Sequence, residues 1–143
     1  MIQHIWSVLC ERISTDQISN LISYLTCIEE ITVSQMPIVI PHLALGSQWI
    51  TNLPTKDMLE LKLLLISPEG IEKQLIVTKS LKFDKERTRT NVLLNGIKFE
   101  SCGTYSFKIQ MKVKDTWQTI GEIPLKIRMK EKSEIELKTN SLK

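Results

Sequence analysis

Short apolar runs separated by polar turns follow one another along almost the whole chain. The clearest run covers residues 103–113, where every second side chain is apolar: Tyr105, Phe107, Ile109, Met111 and Val113. Such alternation is typical of a strand with one face in the core and the other in solvent. After a turn at Lys114 and Asp115, residues 117–129 predict a return strand, and Pro124 favours an edge or a bulge within it.

The first two runs, Ile2 to Ile13 and Asn20 to Val33, predict an antiparallel hairpin across the polar residues 14–17. An alternative stays open for Asp16 to Glu30, because Thr15 or Asp16 could cap a helix and apolar residues recur there at helical spacing. Residues with a preference for strands outnumber strong helix formers in this stretch. We therefore favour the strand.

The middle of the chain continues the same pattern. Gly46 stands inside the run 42–50, where a bulge could form. The charged residues 81–90 predict a crossing loop or an edge. Pro68 and Gly70 fit a turn between two further strands. Strands are predicted at residues 38–40, 42–50, 58–66, 71–78 and 91–99.

Seven to nine short strands without a helical segment predict an all-β fold, an antiparallel two-sheet immunoglobulin-like β-sandwich. Gly103 and Tyr105 resemble the tyrosine corner of such sandwiches, in which the phenol bonds back to the upstream loop. The domain is predicted to cover residues 1–129, followed by a polar, frayed tail at residues 130–143. Five residues are predicted for the core: Leu61, Leu63, Phe107, Ile109 and Leu125.

Composition narrows the possible partners and the setting. The 143 residues carry a formal charge of only +3, which disfavours nucleic acid as a partner. The uncharged stretch from Ile31 to Thr55 contains three prolines, so it does not predict a membrane-spanning helix. Three cysteines without close spacing, and no signal-peptide pattern at the N-terminus, predict a reducing, cytoplasmic location.

No catalytic or metal-binding residues are predicted, and no cofactor. His4 and His42 lack a second ligand at metal-binding spacing. Cys102 is the one cysteine predicted to be exposed, but no base is visible beside it. The densest basic cluster is interpreted as a solvated edge rather than as a nucleic-acid contact, and it consists of Lys79, Lys82, Lys85, Arg87 and Arg89.

Several short motifs resemble a family of small bacterial proteins classed as a domain of unknown function. The resemblance rests on residues 8–13 (VLCERI), residues 20–24 (NLISY), the late Gly103-x-Tyr105-x-Phe107 pattern, and residues 123–125 (IPL). Residues 68–70 would form the family's mid-chain turn. The chain departs from the family at residues 23–24, where a glycine is usual. The resemblance implies a β-sandwich and a bacterial or phage intracellular setting, and it supplies no catalytic residue.

Two functional hypotheses follow. The first is a non-catalytic binding module that uses its loops or an exposed strand edge to hold a protein partner, or to self-associate as a homodimer. The second is a small-molecule binding or sequestering protein with a pocket between the sheets or at a dimer seam, lined by Trp6, Trp49 or Trp117. An enzyme ranks behind both hypotheses, and the chain is predicted not to be one.

Overall fold

The computed structural model describes residues 1–54 and 56–131, and these residues are all-β, as predicted. The predicted tail lies outside the described residues from residue 132 onward. At its start, the Lys130 N–H donates to the Val33 carbonyl at 2.7 Å. The described residues form eleven strands: β1 (Ile2–Thr15), β2 (Ile22–Cys27), β3 (Glu30–Val33), β4 (Ile38–Thr51), β5 (Met58–Leu59), β6 (Leu61–Ile66), β7 (Glu72–Val77), β8 (Leu81–Lys82), β9 (Arg87–Phe99), β10 (Gly103–Val113) and β11 (Thr116–Met129).

Nine of these strands form two main sheets. The first sheet has the order β2-β1-β4-β9, and the second has the order β3-β11-β10-β6-β7. The remaining strands, β5 and β8, pair with each other alone. Apolar side chains from both main sheets share one core, and the five predicted core residues are all buried in it. Its largest fully buried side chains are Trp49, Phe83, Phe99 and Phe107.

The predicted hairpin is present, and the helical alternative for Asp16 to Glu30 is wrong. The Asp16 carboxylate accepts hydrogen bonds from the Ile18 N–H and the Ser19 hydroxyl, as a helix cap would. Asn20 then adopts φ 59, and the Asp16 N–H donates to the Leu21 carbonyl. The capping residue therefore closes a tight turn, after which β2 returns along β1.

The second predicted strand, Asn20 to Val33, is divided between the two sheets. Residues 22–27 pair with β1, whereas residues 30–33 form β3 beside β11. Thr26 has φ 58, and the Ile28 N–H donates to the Leu9 carbonyl, so the chain leaves the first sheet there. In the second sheet β3 runs parallel to β11, so the prediction of purely antiparallel pairing is wrong for this pair.

The predicted bulge at Gly46 is also wrong. Gly46 pairs in regular register with Val8 on one side and Asn91 on the other. Register shifts occur instead between His4 and Trp6 in β1, in the pairing of β10 with β11, and in the pairing of β6 with β7. Gly46 is required for a different reason: a Cβ atom there would lie 2.2 Å from Cε1 of Tyr24.

Candidate functional site

The longest free edge of the described residues belongs to β9. This strand has 13 residues and pairs with β4 on one side, and no described strand pairs with its other side. Its side chains alternate, so that Thr90, Val92 and Leu94 are buried whereas Leu93 is 67% exposed. Unpaired N–H and C=O groups on such an edge are available to another extended chain.

A second free edge lies next to that of β9. In the second sheet, β7 pairs only with β6 among the described strands. Residues 73–76 of β7 and residues 93–97 of β9 line a groove of about 280 Å³ between the sheets. One open side of the sandwich therefore presents two strand edges and the exposed Leu93 side chain.

Part of the predicted basic cluster gathers at the start of β9. Lys85, Arg87 and Arg89 line a cleft of about 480 Å³ together with the hairpin tip at residues 20–22. Asp84 supplies the only carboxylate among the residues that line this cleft. Lys79 and Lys82 are exposed but do not line the cleft. The structure thus brings together three of the five cations.

Aromatic contacts hold the Arg89 side chain. Its guanidinium carbon lies 5.4 Å from the centroid of the Trp6 ring and 5.8 Å from that of Tyr24. The two rings meet edge to face at 5.4 Å. Cation–π contacts of this kind leave the N–H groups of an arginine free to bind an anion in the plane of the guanidinium.

The Tyr24 ring reaches this place because the hairpin folds back over the outer face of the first sheet. Tyr24 pairs with Ile13 on β1, and a straight strand would place Ile13 roughly 20 Å from Trp6. The Tyr24 ring instead contacts Trp6 and lies over Gly46. We call residues 11–26 the arm. No local motif in the sequence signals it, although a glycine inside an apolar strand indicates that another group approaches closely.

A second cleft, which we call the seam cleft, opens where the two sheets meet on the opposite side of the sandwich. It has a volume of about 530 Å³, and its residues come from β1, β10, β11 and the crossing at residues 27–29. Ile28, Ile123 and Pro124 give it apolar walls, and Ser7 and Lys126 add polar groups.

Ser7 belongs to a chain of hydrogen bonds that runs into the core. Its Oγ lies 2.7 Å from Nε2 of His4 and 2.6 Å from Oγ of Ser47, which is fully buried. Burial lowers the pKa of His4, which favours the neutral ring. The described residues place no carboxylate in hydrogen-bonding contact with His4. His4 also forms a hydrogen bond with the Trp6 backbone, so the arrangement satisfies buried polar groups without the carboxylate of a Ser-His-Asp triad.

Tyr105 and Gly103 line neither cleft, although Thr104 between them lines the second one. The Tyr105 hydroxyl donates to the Ser101 carbonyl at 2.8 Å and accepts from the Ser101 N–H at 3.3 Å. Tyr105 is only 4% exposed. Gly103 has φ 136, and a Cβ there would lie 2.7 Å from Cγ of Pro68. These contacts organise the entry to β10.

None of the three tryptophans lines the seam cleft or the groove between β7 and β9. Trp6 lies beneath the arm beside Arg89, and Trp49 is fully buried. Trp117 has the Lys62 ammonium 4.4 Å above its ring. The described residues therefore place no tryptophan in either of these clefts between the sheets, and a tryptophan-lined dimer seam stays a prediction.

The described residues contain no helix long and apolar enough to cross a membrane. Within the same part of the chain, no three His, Cys, Asp or Glu side chains come together as ligands for a metal ion.

A family model described as "Family of unknown function (DUF6941)" matches residues 5–128, which is most of the chain and includes the arm and both clefts. A search of curated proteins finds no match.

Proposed function

This chain belongs to that family of unknown function, and we propose that it is a non-catalytic binding module. Its β9 edge accepts an extended, acidic segment of a partner protein as an additional strand. The observation that carries this proposal is the long free edge itself, with Leu93 at its centre and cations towards both of its ends.

Strand addition uses groups that β9 already presents. An added chain gains main-chain hydrogen bonds from the edge, and alternate side chains provide specificity. Proteins commonly shorten, bend or cover such edges to avoid unwanted pairing. Residues 88–95 of β9 keep regular register with β4, and the positive φ of Gly96 comes only after them. An edge of eight regular residues is long enough for a partner strand of ordinary length.

Charge determines the chemistry of the partner. Arg87, Arg89 and Lys98 lie on β9, which contains no carboxylate. An acidic segment would complement these cations, with its carboxylates at Arg87 and Arg89 beside the arm. A second copy fits less well: two antiparallel β9 strands centred on Leu93 would bring Lys98 of one copy opposite the Arg87 to Arg89 stretch of the other.

The kind of β-sandwich and the cellular compartment are part of the same proposal. We assign the sandwich to the immunoglobulin-like kind, supported by the Tyr105 corner and by the crossing of β3 into the second sheet. We also place the protein in a bacterial cytoplasm. The free state of all three cysteines supports a reducing compartment.

The test begins with a selection of random ten-residue peptides on the purified protein. We expect the enriched peptides to alternate β-branched with acidic residues, and to slow amide hydrogen exchange within residues 88–95 when bound. Arg87→Glu with Arg89→Glu should abolish their binding. The matched control, Lys79→Glu with Lys82→Glu, makes the same change of charge on residues that do not line the cleft, and it should bind normally.

Two results would overturn this proposal. One is enrichment of peptides that bind both charge-reversal variants equally well. The other is a solution mass, measured by light scattering during size exclusion, of twice the 16.5 kDa chain at micromolar concentration together with protection of residues 88–95. That result would make a second copy the occupant of the edge.

The seam cleft supports a second candidate function, the binding of a small apolar molecule. Its volume of about 530 Å³ lies in the range of ligand sites, and Ser7 provides a polar contact beside its apolar walls. Anilinonaphthalene sulfonate is a suitable probe, because its fluorescence rises in apolar sites. Ile123→Glu should remove a fluorescence signal that Ile18→Glu, at a fully exposed site in the first hairpin turn, leaves intact. Equal signals from both variants would count against the cleft.

A further inference from the structure

Two of the three cysteines face each other across the first hairpin. Cys10 on β1 and Cys27 on β2 are direct partners in the antiparallel register. Side chains of directly opposed residues project to the same face of a sheet. Their Cα atoms are typically about 4.5–5.5 Å apart, within the range of about 4.4–6.8 Å that disulfides occupy.

The two thiols differ in their access to solvent. Cys10 is fully buried, whereas Cys27 is exposed and lines the seam cleft. The third cysteine, Cys102, is also exposed, but it stands in the turn before β10 and has no cysteine opposite it in the register. The chain therefore contains one accessible thiol with a second thiol beside it, and one accessible thiol without a neighbour.

The surrounding backbone holds this pair at the root of the arm. Thr26, next to Cys27, has φ 58, and the Ile28 N–H donates to the Leu9 carbonyl at 2.9 Å. The bond from Ile28 to Leu9 lies one residue from each cysteine. The spacing between β1 and β2 is therefore maintained where the chain turns towards the second sheet.

We propose that Cys10 and Cys27 are a thiol–disulfide exchange site that takes small-molecule disulfides of the glutathione type. The Cys27 thiolate attacks one sulfur of the small disulfide, which forms a mixed disulfide and releases one thiolate. The Cys10 thiolate then attacks the Cys27 sulfur, which releases the second small thiolate. The two protein thiols are oxidised to one disulfide, and the small disulfide is reduced to two thiols.

The second step requires the Cys10 thiolate. Burial raises the pKa of Cys10, and the nearby Cys27 adds to this effect, so little of this thiolate is present at neutral pH. The final disulfide joins β1 to β2 at the root of the arm, beside the seam cleft and independently of the β9 edge.

The experiment treats the intact, folded chain with oxidised glutathione and follows its mass and its free thiols over time. Cys102→Ser leaves only the proposed pair. In this variant we expect a transient glutathione adduct, followed by loss of both thiols without retained glutathione. Digestion without reductant should then recover a peptide that links Cys10 to Cys27. Reduced glutathione should reverse the change.

Two matched variants separate the steps. Cys10→Ser should hold a stable glutathione adduct at Cys27, and Cys27→Ser should leave Cys10 unmodified while Cys102 still reacts. The proposal is overturned if Cys102→Ser keeps both thiols under conditions that modify Cys102 in the unaltered chain. It is equally overturned if the adduct at Cys27 in that variant never resolves into the disulfide.

Discussion

Two tyrosines stabilise places where the chain folds back on itself, and they do so through different contacts. Tyr105 packs edge to face against Phe99 at 4.8 Å, and its hydroxyl both donates to and accepts from the Ser101 backbone. Tyr24 packs in the same way against Trp6, but the described residues give its buried hydroxyl no hydrogen-bond partner. The first contact combines packing with hydrogen bonds, whereas the second relies on packing alone.

The difference follows from how far along the chain each contact reaches. Tyr105 bonds to a residue only four positions away, so one tight turn sets both partners. The Tyr24 ring lies over Gly46, 22 positions along the chain, after the arm has folded across a sheet. Apolar contact tolerates small shifts in position, whereas a hydrogen bond requires a defined distance and angle. Apolar packing therefore holds the arm, whereas hydrogen bonds as well as packing hold the corner.

The strongest test of this comparison is Gly46→Ala. The added Cβ would occupy space within 2.2 Å of the Tyr24 ring, so the ring must move off the sheet or the strands must shift. We expect a loss of about 1–3 kcal/mol in the free energy of unfolding, the usual range for an overpacked site. Urea denaturation measures it. In the Tyr24→Ala background, most of that loss should disappear.

Gly121→Ala is the matched control for that substitution. A Cβ at Gly121 would lie 3.4 Å from the nearest atom of His4, so it should be tolerated much better than the one at Gly46. Equal losses from the two substitutions would show that Gly46 is sensitive because of its strand and not because of the arm.

Tyr105→Phe should have the next largest effect. It keeps the ring against Phe99 but leaves the Ser101 carbonyl without its phenol donor. We expect a loss of about 1 kcal/mol or somewhat more, measured as a lower denaturation midpoint. Ser101→Ala keeps the backbone partners and should cost less. An unchanged midpoint for Tyr105→Phe would contradict the role of the corner.

The sequence predicted the corner but not the arm, and the reason is the range of the signal. Gly103 and Tyr105 form a local pattern, and strand alternation placed Phe107 and Ile109 in the core correctly. The position of Tyr24 depends on the direction in which a hairpin folds, which no residue near it encodes. Phe83 shows the same limit, because it lies in a charged segment yet is only 1% exposed.

The sequence likewise predicted only part of the candidate site. The charged segment indicated an edge, and Arg87 and Arg89 lie on an edge strand. The exposure of Leu93 could not be inferred, because its apolar neighbours at positions 92 and 94 resemble it in sequence and only the register shows which of them face the core. The seam cleft depends on the crossing of β3, which the sequence did not predict.

Acid should destabilise the sheet beneath the arm more than the corner. His4 packs against Trp49 in the first sheet, and burial lowers its pKa below the ordinary value of about 6.5. The unfolded chain therefore binds a proton that the folded chain resists, and stability falls as the pH drops through about 6.5. Urea denaturation between pH 7.5 and 5.5 should show this loss.

One variant tests the assignment to His4. His4→Gln should flatten the dependence on pH. The cost of Tyr105→Phe should be the same at both ends of the pH range, because the corner contains no group that titrates there. A cost that changes with pH would show that the two regions are coupled.

The smallest expected effect is that of Tyr24→Phe, and it sharpens the comparison most. The substitution removes a buried hydroxyl that has no hydrogen-bond partner within residues 1–54 and 56–131, and it keeps the ring that contacts Trp6 and Arg89. A buried polar group without a partner costs free energy in the folded state, so its removal should leave stability unchanged or raise it slightly. The same atom removed from two tyrosines therefore has different outcomes, a loss at Tyr105 and none at Tyr24. A loss at Tyr24 as large as that at Tyr105 would mean that the arm is held by a polar contact after all.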